Sequence, residues 1–299
     1  MKAEINFSEY IGRNEQAIDK WVCAPMLSKS TRLSFLDWMR MLNNTKFCHL
    51  SHAINRFQNN SGQPIDILDF GSGQGGLTID LKRFFGSRIN IVGYDVSPRA
   101  VQIAQGHKTA YGADVDFVLD RDCDVVAALG GKQFDIIVST DVFGHVPNLP
   151  DCFHKLNRSL RENGELHAFS ESITGKRLFI ANYLRKRGVN LDDSAEEHIS
   201  LYPIRELKSM LQNAQFARVD AYACDPIRFP FYPERYIPGL WKTRSPLLPL
   251  ALFFKLFKAG VLRYPADVVF NQINYFFAHI VKDRFDTAGC LISAYKNAH

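Results

Sequence analysis

The sequence predicts a doubly wound α/β domain, in which helices cover both faces of a mostly parallel sheet. From residue 65 onward, short apolar runs alternate with segments of helical periodicity, at a spacing that suits crossover connections. A chain of 299 residues can bury a large core, and 46% hydrophobic and 22% charged residues are ordinary for a globular protein. We therefore expect one large sheet domain with attached helical segments.

A helical lead-in is predicted over residues 1–64. Apolar residues recur there at helical spacing, until Asn-Asn-Ser-Gly at 59–62 breaks the pattern. The recurring positions are Leu33, Leu36, Met39, Leu42, Leu50, Ile54 and Phe57. This segment is expected to pack beside the sheet domain.

The strands and helices of the sheet domain follow in alternation. Strands are predicted at 65–70, 90–94, 115–119, 134–140, 164–169, 216–222 and 289–295. Helices are predicted at 75–85, 98–111, 149–160, 173–187 and 203–213, the second opening with a Ser-Pro pair suited to a helix start. The last strand follows a long excursion, so we expect it to add antiparallel to one edge of the sheet.

The boundaries that these patterns suggest are a helical segment at 1–64, a core at 65–225, an insertion at 226–286 and a final core strand at 287–299. The insertion is rich in proline, aromatic and basic residues, and two helices with broad apolar faces are predicted in it, one of them over 250–262. Basic charge beside apolar helices suits an anionic membrane surface, contacted through 226–282, or a lipophilic acceptor. A helical lid that packs on the core or on a second subunit explains the same pattern.

A glycine loop joins the first strand to the next helix, from Gly71 to Gly76. Glycine allows a tight turn and a close approach to a ligand, and the helix N-terminus offers free N–H groups to an anion. Asp95 stands at the tip of the second strand, where it can accept two hydrogen bonds from a ribose, each worth roughly 1.5–3 kcal/mol. The pattern therefore predicts a ligand that contains a nucleoside.

The same glycines also satisfy the weakly specific G-x-G-x-x-G pattern of nicotinamide-dependent oxidoreductases. Asp69 argues against that reading, because its charge would repel a pyrophosphate and suits a cationic amine. Such an oxidoreductase would also need a catalytic Tyr-x-x-x-Lys or similar group, and none is evident in the sequence. The oxidoreductase remains one alternative, and a non-catalytic, membrane-associated module with the same fold is another.

Four runs carry a family resemblance: ILDFGSGQGG, VGYDVS, FDIIVSTDVFGHV and LRENGELHAF. In this order they resemble the successive motifs of class I S-adenosylmethionine-dependent methyltransferases, over about residues 65–225, and the group containing ubiquinone-type O-methyltransferases looks most similar. The resemblance implies a Rossmann-like fold, S-adenosyl-L-methionine as cofactor, and methyl transfer to a small or lipid-linked acceptor, with O-methylation expected.

The resemblance also implies roles for single residues. Asp69, Gly71, Ser72 and Gly73 would surround the methionine part of the cofactor, Asp95 would hold the ribose and Val96 would lie beside the adenine. Asp122 with Cys123 would meet the adenine amino group, although Asp120 is close enough to leave that assignment open. Ser139, Thr140 and Asp141 would line the floor of the cofactor pocket.

Two histidines are candidates for catalysis. His145 follows the fourth strand and would face the cleft, although relatives often carry an acid at the preceding position, where Gly144 stands. His198 precedes the helix at 203–213 and could take the proton of a hydroxyl acceptor. Packing or capping roles are the alternative for both histidines. No set of residues at metal-ligand spacing is evident, so no metal is predicted.

Composition and charge predict the kind of partner and the cellular location. The net charge of +5 arises from the part after residue 172, but Lys and Arg do not cluster on a base-reading element, so no nucleic-acid partner is expected. The six cysteines show no CxxC pair and no secretory signal is evident, so we expect a reducing cytoplasmic location, with contact at the inner face of a membrane if the insertion binds lipid.

Overall fold

A computed structural model describes residues 23–30, 32–121, 124–172, 198–224, 226, 248–257, 263–284, 287 and 289–297. Its seven strands are β1 (Ile65–Phe70), β2 (Ile89–Asp95), β3 (Asp116–Leu119), β4 (Phe134–Thr140), β5 (Leu160–Glu171), β6 (Arg218–Ala223) and β7 (Gly289–Tyr295). Each lies at or within a few residues of a predicted strand.

The described helices connect and flank these strands. They are α1 (Phe35–Leu42), α2 (Thr45–Ser61), α3 (Gly76–Phe85), α4 (Pro98–Tyr111), α5 (Val125–Ala128), α6 (Leu149–Arg158), α7 (Ile204–Asn213), α8 (Leu248–Phe257) and α9 (Arg263–Val281). Short 3₁₀ turns add Gly86–Arg88, Phe143–His145 and Lys282–Arg284. None of these helices combines the length and apolar character needed to cross a bilayer.

The strands form one sheet in the order β3-β2-β1-β4-β5-β7-β6. Strands β1 to β5 pair in parallel, whereas β7 is antiparallel to both of its neighbours. Ligands in such sheets bind at the carboxyl ends of the strands, near the point where strand order reverses between β1 and β4. The predicted doubly wound, mostly parallel fold is confirmed.

The place of β7 corrects the prediction. The strand is antiparallel, as expected, but it lies between β5 and β6 rather than at an edge. All of its residues are buried, and its sequence, GCLISAY, carries no charge that would protect an exposed edge from pairing. An apolar run without alternation is typical of an interior strand, and β6 forms the edge instead.

Apolar clusters cover both faces of the sheet. On one face, sheet residues such as Leu68, Ile137 and Leu166 pack with Phe153, Leu156, Leu207 and Leu211 of α6 and α7. On the other face, Ile67, Ile91, Ile136 and Val138 pack with Phe47, Leu50, Ile54, Ile79, Leu81 and Phe85 of α2 and α3. The helical lead-in therefore contributes α2 directly to the core.

Several predicted boundaries differ from the structure. Within residues 23–30 and 32–64, the lead-in contains two helices, because Asn43 caps the end of α1 and the Asn44 side chain accepts the Phe47 N–H at the start of α2. Helix α6 ends at Arg158, since Leu160 begins β5. The predicted helix at 173–187 and residues 258–262 of the insertion lie outside the described residues. The proposed domain boundaries stay predictions.

Candidate active site

The glycine loop is a tight turn between β1 and α3. The N–H groups of Gly71 and Ser72 both donate to the Tyr94 carbonyl oxygen, at 2.8 and 2.9 Å, which ties the loop to the end of β2. Gly71 has φ +76°, and a Cβ there would lie 2.2 Å from the Val142 side chain. Glycine is required at this position because a side chain fits neither the backbone conformation nor the space.

Asp95 is fixed at the tip of β2 by backbone donors. Its Oδ2 accepts the Gly73 N–H at 2.7 Å and its Oδ1 accepts the Ser97 N–H at 2.9 Å. Burial raises the pKa of this carboxyl, and the N–H groups of Ser97, Gly73 and Val96 offset part of that effect. The carboxylate is therefore held in one orientation, beside the loop, and retains lone pairs for a ligand.

Asp69 lies within β1 and is 1% exposed. The Thr78 hydroxyl donates to its Oδ2 at 2.6 Å. Burial raises the pKa of Asp69 to about 7, the Thr78 hydroxyl lowers it, and the nearby charge of Asp95 raises it. Such a buried acid close to the loop lacks a cationic partner among the described residues, and a ligand amine would supply one.

Ser72 supplies a second sign of a missing ligand. Its hydroxyl is buried and, in the part of the chain that the structure describes, has no hydrogen-bond partner. Buried polar atoms are nearly always paired in folded proteins. Together with the aspartates on either side, this orphaned hydroxyl fits a polar molecule in the loop.

The structure describes only part of the turn after β3, where the resemblance places the adenine of the cofactor. Asp122 and Cys123 lie outside the described residues, so their predicted contact with adenine stays a prediction. Asp120 accepts the Tyr94 hydroxyl at 2.8 Å and the Asp124 N–H at 2.7 Å through the same oxygen, Oδ2. Its described contacts therefore hold together the strand ends and the turn after β3.

The residues after β4 form the other wall. Ser139 is buried and donates to the Phe70 carbonyl oxygen at 2.9 Å, and Thr140 ends the strand, half-buried. Asp141 has φ +59°, an unusual conformation for a residue with a side chain, and pairs with Lys46 of α2. The strained turn leads from the end of β4 to the 3₁₀ turn that carries His145.

The structure brings His145 and His198 together. Their rings stack with centroids 4.5 Å apart. The N–H groups of Ile199 and Ser200 both donate to the Gly144 carbonyl oxygen at 2.9 Å, which anchors the second histidine beside the first. A Cβ on Gly144 would lie 2.4 Å from His198 Cδ2, so the glycine makes room for the imidazole.

Glu171, which the sequence analysis did not single out, completes this cluster. Its Oε1 lies 3.6 Å from His198 Nε2, and its Oε2 is buried without a hydrogen-bond partner in the described chain. Burial raises the pKa of this carboxyl, but the neighbouring His198 and further donors lower it by more, so the net shift is downward. Ligand atoms of His145, Glu171 and His198 lie within 4.8 Å of one another, so this set could also hold a metal ion.

The carboxylate near the two histidines comes from a different part of the chain than the acid that relatives often carry just before His145. Relatives often carry it at the position of Gly144, whereas here a carboxylate reaches the histidines from the end of β5. The one signal in the sequence was an acid just beyond the predicted strand at 164–169. Only the longer strand seen in the structure places that acid at the site.

Comparison with known families identifies the family of this fold. A family model described as "Methyltransferase domain" matches residues 42–221. The chain belongs to this methyltransferase family. The predicted class, S-adenosylmethionine-dependent methyltransferases of class I, is confirmed, and with it the expected cofactor of the family. The oxidoreductase alternative is not supported.

The methyltransferase is similar to several characterised proteins over part of its length. It is 25% identical over 115 residues to a ubiquinone biosynthesis O-methyltransferase of Klebsiella pneumoniae, covering 38% of this chain and 46% of that one. It is 26% identical over 157 residues to phosphoethanolamine N-methyltransferase 3 of Arabidopsis thaliana, covering 52% and 29%. The chain spans less than half the length of these two curated relatives.

Solved structures show the same fold. Phosphoethanolamine N-methyltransferase 2 of Haemonchus contortus, in complex with S-adenosyl-L-methionine, matches with a TM-score of 0.51 and 17% identity, covering 99% of this chain and 61% of that one. At this identity the likeness concerns the fold.

Proposed function

We propose that the protein transfers the methyl group of S-adenosylmethionine to a hydroxyl oxygen of a small or lipid-linked acceptor. The observation that carries the proposal is the position of the His145–Glu171–His198 cluster. The cluster lies at the carboxyl ends of β4 and β5. The glycine loop and Asp95 lie at the carboxyl ends of the neighbouring parallel strands β1 and β2. A nucleoside site and an acid–base site therefore adjoin at the edge of the sheet where ligands bind.

The cofactor side follows from the chemistry of three groups. Asp95 accepts hydrogen bonds from the ribose hydroxyls, Asp69 offsets the charge of the amino group, and the Ser72 hydroxyl gains the partner that it lacks. Each charge-assisted hydrogen bond contributes roughly 1.5–3 kcal/mol. When bound, the cofactor supplies a methyl group on a sulfonium.

The acceptor side follows from the histidine cluster. With the cofactor bound, its sulfonium would supply the methyl group to the acceptor oxygen and leave as a neutral thioether, and His198 would take the proton of the acceptor hydroxyl. The Glu171 carboxylate stabilises the imidazolium that forms, and His145 packs against its ring. Such a base contributes about 10²- to 10⁴-fold, and positioning of the two substrates supplies most of the rest.

A hydroxyl acceptor is favoured because it must lose a proton, and the neighbouring His198 and Glu171 can accept that proton and stabilise its charge. The relatives include an O-methyltransferase and an N-methyltransferase. An amine acceptor is therefore the second candidate, and the Glu171 carboxylate beside His198 is the group that would receive its charge.

The cofactor proposal is tested by calorimetric titration with S-adenosylmethionine, S-adenosylhomocysteine and NADH. We expect the first two to bind and Asp95→Ala to weaken both by roughly 100-fold or more, since it removes two charge-assisted hydrogen bonds. Asp135→Ala, at the start of β4, is the matched control and should bind normally. Binding of NADH alone, or unchanged affinity in Asp95→Ala, would contradict the proposal.

The acceptor proposal is tested by following release of S-adenosylhomocysteine with phenolic, polyprenyl-phenolic and ethanolamine-phosphate acceptors. His198→Gln should lower kcat about 10²-fold or more while the cofactor affinity stays unchanged. The same assay with a chelator measures any contribution of a metal ion at the cluster. Turnover confined to the amine, or full activity of the variant, would overturn the assigned acceptor or base.

A further inference from the structure

Large apolar side chains are exposed on three helices. In the described ranges, every exposed large apolar side chain except Leu119 belongs to α1, α8 or α9. They are Phe35, Leu36, Trp38 and Leu42 of α1, Leu252, Phe253 and Leu256 of α8, and Tyr264, Val269, Phe276, Phe277 and Ile280 of α9. Phe35 is 76% exposed, Leu256 73% and Phe276 63%. Large apolar side chains exposed in such number on neighbouring helices mark an interaction site.

Two of these helices lie against each other. The Asn271 side chain of α9 donates to the Asn43 carbonyl oxygen at 3.0 Å, and the Gln272 side chain donates to the Leu42 carbonyl oxygen at 2.6 Å. The exposed apolar residues of α1 and α9 therefore belong to one side of the molecule, although they are far apart in the sequence.

This side borders the acceptor side of the active site. Lys46 is the second residue of α2, three residues after Asn43. Its ammonium group pairs with Asp141 and lies 4.0 Å from the centroid of the Phe169 ring, at the end of β5. A surface seated on α1 and α9 would therefore lie next to the pocket that receives the acceptor.

Positive charge accompanies the apolar residues. Lys29, Arg32, Lys255, Lys282 and Arg284 are exposed on or beside these helices. The acids of these segments are fewer: Asp37 is buried among donors, Asp283 pairs with Lys208 at 3.1 Å, and Asp267 of α9 is the third. Apolar side chains interspersed with exposed cations are complementary to an anionic lipid surface, where the rings and leucines enter the interface and the cations meet phosphate groups.

We propose that α1 and α9 form a surface that docks on an anionic lipid bilayer without crossing it, and that the exposed apolar side chains of α8 enter the same bilayer. A second copy of the chain would equally cover apolar side chains, but it would bring the same cations into contact with one another. Lipid supplies the opposite charge. Docking on this side holds the acceptor pocket at the membrane, where a lipid-linked molecule can reach it.

The test is cosedimentation of the full chain with vesicles of phosphatidylcholine, with and without phosphatidylglycerol. We expect binding that increases with phosphatidylglycerol and weakens with salt. The combined variant Phe35→Ser, Leu256→Ser, Phe276→Ser should bind about tenfold more weakly or worse. The pair Lys282→Glu with Arg284→Glu should lose the preference for the anionic lipid. Leu119→Ser, an exposed apolar position away from these helices, is the matched control and should sediment like the unaltered chain.

Sedimentation equilibrium of the same variants tests whether a second copy of the chain covers this surface instead. Binding of S-adenosylhomocysteine by each variant shows that it is folded, and this readout is independent of vesicle binding. Failure of the unaltered chain to sediment with either vesicle overturns the proposal. A dimer that the triple serine variant dissociates, without vesicle binding, assigns the surface to a second copy instead.

Discussion

Asp69 is an acid that the fold keeps in an unfavourable environment. Burial raises its pKa to about 7, and no described cation compensates. If Asp69 binds the amino group of the cofactor, as we propose, only its ionised form attracts that group. We therefore expect the affinity for cofactor to depend on pH near neutrality.

Cofactor affinity should be greatest between about pH 7 and 8. Below the pKa of Asp69 the carboxyl is protonated and the attraction is lost, by up to about tenfold per pH unit, whereas above about pH 8 the cofactor amine loses its own proton. Calorimetric titration over this range measures both limbs. Asp69→Asn should keep only the upper limb and bind more weakly. A flat profile in the unaltered protein would show that Asp69 does not contact the amine.

Gly144 has a different role from the loop glycines, because its lack of a side chain serves a neighbour. Gly144→Ala should move His198, since the new Cβ would otherwise lie 2.4 Å from its ring and 3.2 Å from Glu171 Oε2. We expect kcat to fall about tenfold or more with unchanged cofactor affinity.

Gly106→Ala is the control for this variant. Gly106 lies in α4 with no atom near the added Cβ, and alanine there should be neutral or stabilising by up to about 1 kcal/mol. Equal turnover of the two alanine variants would remove the role assigned to Gly144.

At this scale the sequence predicted the positions of the glycine loop and Asp95 better than the contacts of the candidate histidines. The glycine loop and Asp95 are close in sequence to elements whose order fixes their position, so a local pattern places them. The contact of His198 with Glu171 joins segments that no local pattern connects. It also depends on how far β5 extends, and that length is set by its pairing with β7.

Among the elements, α2 and β7 are joined across the sheet by a buried histidine. His49 Nε2 lies 3.0 Å from the Ile292 carbonyl oxygen, to which it donates. Burial lowers the pKa of His49 to about 3, with further repulsion from His167. The native state therefore holds this imidazole neutral over a range in which an unfolded chain would protonate it.

Stability should decline as the pH falls from about 6.5 towards 3. In that window the unfolded state binds a proton that native His49 refuses, which costs up to about 1.4 kcal/mol per pH unit from this residue. Urea unfolding at a series of pH values measures the slope. His49→Gln should be less stable at neutral pH but show a shallower decline. His154→Gln, at an exposed position of α6, should leave the slope as it is, and an identical slope in all three proteins would contradict the assignment.

The pattern of elements was predictable because apolar runs of strand length alternate with helical periodicity. The order of β6 and β7 was not. Both are short runs, and the choice of which lies inside depends on tertiary pairing, where the uncharged β7 fits between two strands. The break between α1 and α2 was also missed, since apolar spacing continues across Asn43 and Asn44.

On the scale of the whole molecule, the helices outside the sheet domain carry most of what distinguishes this chain. The lead-in supplies Lys46 to the active site and α1 to the exposed apolar surface, and the insertion supplies α8 and α9. Residues distant in sequence therefore border the same pocket. Composition pointed to the basic, aromatic insertion but gave no sign that α1 would lie against it.

The interior position of β7 has a consequence for the protein while it is being made. Residues 289–295 leave the ribosome after every other strand described, yet Gly289 is the residue that pairs with Glu171. Until β7 is made, the outer edge of β5 has no partner strand, and Glu171 at the end of β5 is not held by Gly289. A nascent chain can fold its cofactor loop first, but its catalytic cluster is assembled only when translation has nearly passed the whole sheet. Incomplete products of synthesis would thus bind nucleoside without transferring methyl groups.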